Sequence, residues 1–218
     1  MKLKWSDLLS LGAVGAVGAL AWYLYPTFPE RVPTHWNLAG EIDGYMRKPL
    51  AVLAMIALPL AGYAVGLLFN KVLPRISPAG FEMDRFENVT DIITLSLTLM
   101  LAGVAAVVLL AASGRDVPVI TVVTLLTGGL LVVIGNYLGK VRRNFFVGIR
   151  TPWTLASDEV WARTHRVGGW LFVLAGIAII ASAGRSRLVL PLVLLSSVGT
   201  AALIAVAYSY LVYRQLHR

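Results

Sequence analysis

Two apolar runs, Val117–Leu138 (VPVITVVTLLTGGLLVVIGNYL) and Val167–Ala183 (VGGWLFVLAGIAIIASA), bracket a polar stretch, Asn144–Arg166 (NFFVGIRTPWTLASDEVWARTHR). Neither run holds a charged residue, and each has the roughly 17–25 residues with which a helix crosses about 30 Å of hydrocarbon. The pair therefore reads as two membrane-spanning helices. The 23-residue polar stretch between them, with two Trp, a His and a Pro, is much longer than the few residues a plain turn needs.

Working outward, the same length rule gives four further spans: Leu8–Tyr25, Pro49–Phe69, Ile92–Ala112 and Leu188–Val212. Lys2 and Lys4 precede the first, as in a signal peptide, but it ends in Trp22-Tyr23-Leu24-Tyr25-Pro26 and lacks a small-residue cleavage site. It is kept as a span. The fold class expected is an all-α, polytopic membrane protein with six transmembrane helices. Of 218 residues 58% are hydrophobic and only 14% charged, against about a quarter charged in soluble domains. With no cysteine in the chain, disulfides, thiolate metal sites and a Cys nucleophile are excluded.

The net charge of +8 does not point to nucleic acid, because the 19 Lys and Arg lie in short clusters at the ends of apolar runs. The expected partner is the lipid bilayer, with no direct nucleic-acid contact. With six spans, 13 of those 19 cations fall on the side of the two termini, 70–91 and 139–166, and 6 on the other. The positive-inside rule then gives an N-in/C-in protein of the cell membrane, with loop 26–48 outside.

That outer loop, Pro26–Lys48 (PTFPERVPTHWNLAGEIDGYMRK), has its backbone fixed by Pro26, Pro29 and Pro33, with turn signals at Asn37–Gly40 and Asp43-Gly44. It is expected to be ordered. His35, Glu41 and Asp43 match no metal-ligand spacing, so His35 and Asp43 are expected to cross-link the loop, with Trp36 and Tyr45 at headgroup level. Further along, Ser77-Pro78 reads as a helix start, the helix running from about Ala79 into the third span. Asp84, Asn88 and Asp91, continued by Thr94 and Thr98, share one face of it. Small-residue pairs in the spans (Gly12 with Ala16 beside Gly15 and Gly18, Gly62 with Gly66, Gly135 with Gly139) suit close helix contact, within the chain or across a dimer interface.

In the central stretch Gly148 permits unusual backbone and Pro152 biases Thr151 away from helix, so a non-helical crossing is expected first. Ser157 then caps an amphipathic helix at the membrane surface, with Asp158 and Glu159 in its first turn. Trp161 with His165 and Glu159 with Arg163 are i, i+4 neighbours, and Gly168-Gly169 allows a bend or close packing before the next span. Arg150, Trp153, Trp161, Arg163, His165 and Arg166 can make a cytoplasmic docking surface, or serve as headgroup anchors.

The stretch Gly135–Gly169, with Asn144, Gly148, Arg150, Thr151, Pro152, Trp153, Thr154, Trp161, Thr164 and His165 in unbroken order, resembles the signature region of the SdpI family of bacterial membrane proteins. The outer loop, with Pro33, His35, Trp36, Asn37, Gly40, Asp43, Gly44 and Lys48, is similar to the N-terminal domain of unknown function at the front of that family. The resemblance implies two modules: 1–70 with spans one and two and the outer loop, and 71–218 with the other four spans and the signature 135–169. It implies a non-enzymatic protein, without cofactor, that gives immunity to a secreted, membrane-active toxin peptide. It also implies signalling, by capture of a cytoplasmic ArsR-type repressor.

Two other classes are open. A small-solute or ion transporter would rest on Asp91 and the threonine face after it, although no charged residue sits at the middle of any span. A membrane-embedded metal-dependent hydrolase would have only His35, His165 and His217 to draw on, with no Ser set beside a His and an acid.

Overall fold

The structure, a computed structural model, describes residues 3–37, 39–78, 87–185 and 189–216. In chain order come α1 (Trp5–Leu24), a 3-10 turn (Tyr25–Thr27), strands β1 (Arg31–Trp36) and β2 (Ile42–Arg47), and α2 (Lys48–Leu67). A π-helical turn (Leu68–Val72) leads to α3 (Leu73–Ile76), followed by α4 (Glu87–Ala112), α5 (Val119–Leu138), α6 (Pro152–Ala156), α7 (Asp158–Ser182) and α8 (Val189–Leu216). Six of these helices are long and apolar enough to cross a membrane, as expected. Ser77 follows the end of α3, while the expected helix start at Ala79 and the residue Asp84 lie outside the described residues.

The ordered outer loop is a β-hairpin, a finding the sequence pattern did not specify. Pro33 and Gly44 interrupt any apolar–polar alternation, and the register is irregular at Thr34 and Asp43, neither of which has a Cα partner. The turn is held by Asn37, whose Oδ1 accepts from the N–H groups of Ala39 (2.9 Å) and Glu41 (3.0 Å). Gly40, at φ +78°, supplies the left-handed residue that such a turn requires. His35 Nδ1 lies 2.5 Å from Asp43 Oδ1, the cross-link expected of that pair.

α4 packs against α1 and α2 on one side and α5 on the other, and α5, α7 and α8 pack in succession. The hairpin is seated on the first group. Phe28 and Val32 are buried with Val17, Ala21 and Leu24 of α1, Ala51 and Met55 of α2 and Ala105, Val108 and Leu109 of α4. Side chains such as Leu192, Leu195 and Leu203 of α8 stay exposed, which suits a surface bathed in lipid.

α5 and α7 approach until backbone meets backbone. A Cβ added at Gly135 would stand 2.6 Å from Gly169 O, and one at Gly128 2.8 Å from Gly176 O; Gly169 and Gly176 meet Gly135 O and Gly128 O reciprocally, each at 2.6 Å. On both helices the two glycines are seven residues apart, two helical turns, so they face the same way. The helix expected at the membrane surface and the fifth span are one continuous helix from Asp158, with Gly168 and Gly169 inside it, packed against Ile149 and Gly135. Gly62 and Gly66 likewise pack on Thr98 and Thr94 of α4. The span-one glycines do not follow this pattern: a Cβ at Gly12, Gly15 or Gly18 would meet nothing within 4 Å.

Candidate functional site

The residues between α5 and α7 fold into a block built on four fully buried polar side chains. Asn144 uses its whole amide: Nδ2 donates to Arg142 O (2.9 Å) and Val147 O (3.0 Å), and Oδ1 accepts from the N–H groups of Phe146 (2.8 Å) and Val147 (2.7 Å). Gly148 follows at φ +116°, and a Cβ there would run into His165 Nε2. The next N–H, that of Ile149, donates to His165 Nε2 (3.0 Å), while His165 Nδ1 faces Trp161 O at 2.9 Å. One ring nitrogen accepts and the other donates, which holds the imidazole neutral in its Nδ1–H form. The ring stacks on Trp161, centroids 3.9 Å apart, and Trp161 Nε1 donates to Val141 O (2.8 Å).

Thr151 and Thr154 close the block. Thr151 caps α6, with Pro152 opening the helix, and the Thr154 hydroxyl accepts from Thr151 N–H (2.8 Å) and reaches Ile149 O (2.9 Å). Trp153 turns the other way: its Nε1 donates to Ser209 Oγ and its ring meets Tyr210 edge-on, so α6 is tied to α8. Ser157 caps α7 as expected, accepting from Val160 N–H, and Glu159 pairs with Arg163 at 2.6 Å. Thr164 is also fully buried, and among the described residues its hydroxyl has no partner.

The expected docking surface is therefore divided. Trp161 and His165 lie in the interior at 2% and 0% exposure and support the connection from within. Exposed on the outside are Arg142, Phe145, Arg150, Arg163 and Arg166, with Arg150 Nη1 donating to Phe145 O (2.7 Å). Sequence reasoning reads Arg143, with Arg142, as a headgroup anchor and missed that it clamps Asp158 and Leu155 O at 2.6 Å each; it also missed Ser209 and Tyr210 of α8. Nothing in the local pattern marks those two, because their partner Trp153 is 56 residues from Ser209 and 57 from Tyr210.

A second polar cluster joins α1, α2 and α4. Asp91 is buried, its carboxylate taking Lys4 Nζ (2.8 Å) and Asn70 Nδ2 (2.7 Å), and Lys4 also reaches Glu87 (2.5 Å). Asn70 sits in the π-helical turn, which delivers it to α4. Burial works against the Lys4 ammonium, but the hydrogen bonds and charges of Asp91 and Glu87 outweigh it and raise the pKa. The carboxylate that a transporter would need is thus engaged by an internal cation. Lys4→Ala is expected to destabilise the bundle by about 1–2 kcal/mol, because Asp91 is left buried with one neutral partner and Lys4 itself is partly screened. Thermal unfolding of Lys4→Ala, Asp91→Ala and the double variant measures the coupling, and strict additivity would remove it.

These features define a class: a polytopic helical membrane protein with an ordered hairpin at one end and a buried polar block joining two of its spans. The family model described as the SdpI/YfhL protein family matches residues 140–212, and that of Domain of unknown function (DUF1648) matches residues 11–59. The chain, a multi-pass protein of the cell membrane, is thus similar to the SdpI family, the first match covering the block with α7 and most of α8 and the second most of α1, the hairpin and the first half of α2. Immunity protein SdpI of Bacillus subtilis (strain 168) is 25% identical over 194 residues, 89% of each chain. No solved structure matches the chain.

Proposed function

We propose that this chain is a non-enzymatic immunity protein that protects its cell against a secreted, membrane-active peptide. Similarity along nearly nine-tenths of both chains to a protein named for immunity carries the reading. In the N-in/C-in orientation that the Lys and Arg distribution favours, the hairpin faces the toxin and the signature block faces the cytoplasm. The block then presents Arg142, Phe145, Arg150, Arg163 and Arg166 to a cytoplasmic repressor. His165, Asn144 and Thr154 work beneath them by holding that surface in shape.

Expression in a sensitive cell, followed by exposure to the toxin, tests protection; survival unchanged from an empty vector overturns it. For the signalling half, Arg150→Ala is expected to reduce toxin-dependent capture of the repressor by about tenfold, the loss of one charge-assisted hydrogen bond or ion pair at an interface. The amount of protein in the membrane should not change, since the Arg150 side chain is exposed. Capture equal to wild type removes Arg150 from the surface.

A further inference from the structure

At the foot of the hairpin, Arg31 opens β1 and Arg47 closes β2, and the register sets the two directly opposite each other. Directly opposed residues of an antiparallel pair stand on the same face with Cβ atoms about 5 Å apart, where like charges repel. Lys48, the first residue of α2, follows at once. Three cations therefore converge where the hairpin joins the helices.

Among the described residues none of the three has a carboxylate partner. Asp43 is taken by His35, and Glu30 makes no ion pair although its backbone O accepts from Lys48 N–H (3.0 Å). What the cations do touch is aromatic: Arg31 lies 5.8 Å from the Tyr45 ring centroid and Lys48 4.5 Å from that of Tyr25. Both arginines are exposed. The height in the membrane is fixed independently. α1 ends and α2 begins here, and Trp22 and Tyr23 at the end of α1 are 84% and 72% exposed, the kind of side chain that sits at the headgroup level.

A like-charge pair with no internal counterion weakens the hairpin unless an anion arrives from outside, and at this depth the anion at hand is lipid phosphate. We propose that Arg31, Arg47 and Lys48 bind the phosphate of an anionic phospholipid, whose two-pronged guanidinium contacts bridge the strands. The bound lipid offsets the repulsion and fixes the hairpin against the bilayer. The site is independent of the immunity reading.

The test uses the full chain purified in detergent, with thermal unfolding followed as phosphatidylglycerol, phosphatidylcholine or inorganic phosphate is titrated in. Phosphatidylglycerol is expected to raise the midpoint and phosphatidylcholine to leave it in place. Arg31→Gln with Arg47→Gln should weaken the response to phosphatidylglycerol roughly tenfold, the loss of charge-assisted contacts. Lys71→Gln with Arg75→Gln, beyond the far end of α2 from the hairpin, should keep it. Arg47→Glu gives Arg31 a counterion within the hairpin, so its midpoint without lipid should equal or exceed wild type while the phosphatidylglycerol response disappears; this variant carries the test if the double Gln variant does not fold. A full lipid response in Arg47→Glu overturns the proposal. Inorganic phosphate reproducing the arginine-dependent shift overturns it in favour of free phosphate, and an acidic peptide producing the shift where phosphatidylglycerol does not overturns it in favour of a protein ligand.

Discussion

Gly135→Ala is expected to lower the stability of the folded bundle by about 2–3 kcal/mol, the upper part of the range for overpacking a close-packed interior. The new methyl would lie 2.6 Å from the Gly169 carbonyl oxygen and 2.7 Å from Val173 N. Those are backbone atoms, so no side chain can swing away and the helices must part. Gly129, on the same helix, has nothing within 4 Å of an added Cβ. Gly129→Ala is expected to be neutral or to stabilise by up to about 1 kcal/mol, since alanine favours helix. Unfolding midpoints of the two variants in the same detergent decide the matter: equal midpoints would mean that the glycine contact between α5 and α7 contributes little.

His165→Ala is expected to have the largest effect, about 3–5 kcal/mol. It removes a fully buried ring stacked on Trp161, which leaves a cavity, and it orphans the half-buried N–H of Ile149. His165→Phe separates the two contributions: it keeps the stack and loses the acceptor, so about 2–3 kcal/mol should remain. Because Ile149 adjoins Arg150, both variants should be cut by trypsin after Arg150 faster than wild type. Cleavage at the wild-type rate in both would show that the histidine does not hold the connection between α5 and α7.

How far the sequence carries depends on whether a signal is local. The six spans were legible because apolar length is written in consecutive residues, and the helix start at Ser157 because a cap and its first-turn acids are neighbours. The strands were not, since pairing Arg31 with Arg47 is a long-range choice and Pro33 obscures the alternation. For Trp161 and His165 the i, i+4 spacing showed that they share a face. What covers that face is the loop at 141–149, and periodicity contains nothing about it. The glycines make the same point: Gly12, Gly15 and Gly18 look as suited to helix contact as Gly128 and Gly135, yet only the latter two meet a neighbouring backbone.

The paired glycines also limit how the molecule can change shape. Helices that touch through side chains can re-pack, one ridge slipping past the next by a turn. Where carbonyl oxygens stand against Cα atoms at two levels, Gly135 with Gly169 and Gly128 with Gly176, there are no ridges to interlock at a second position. α5 and α7 therefore move as one unit, a fixed mast from one membrane face to the other. Under the proposed function, a signal passing from the hairpin to the arginine-bearing block would be expressed as a tilt of this mast against its neighbours: α4 on one side, and on the other α8, which the Trp153–Ser209 tether couples to the block.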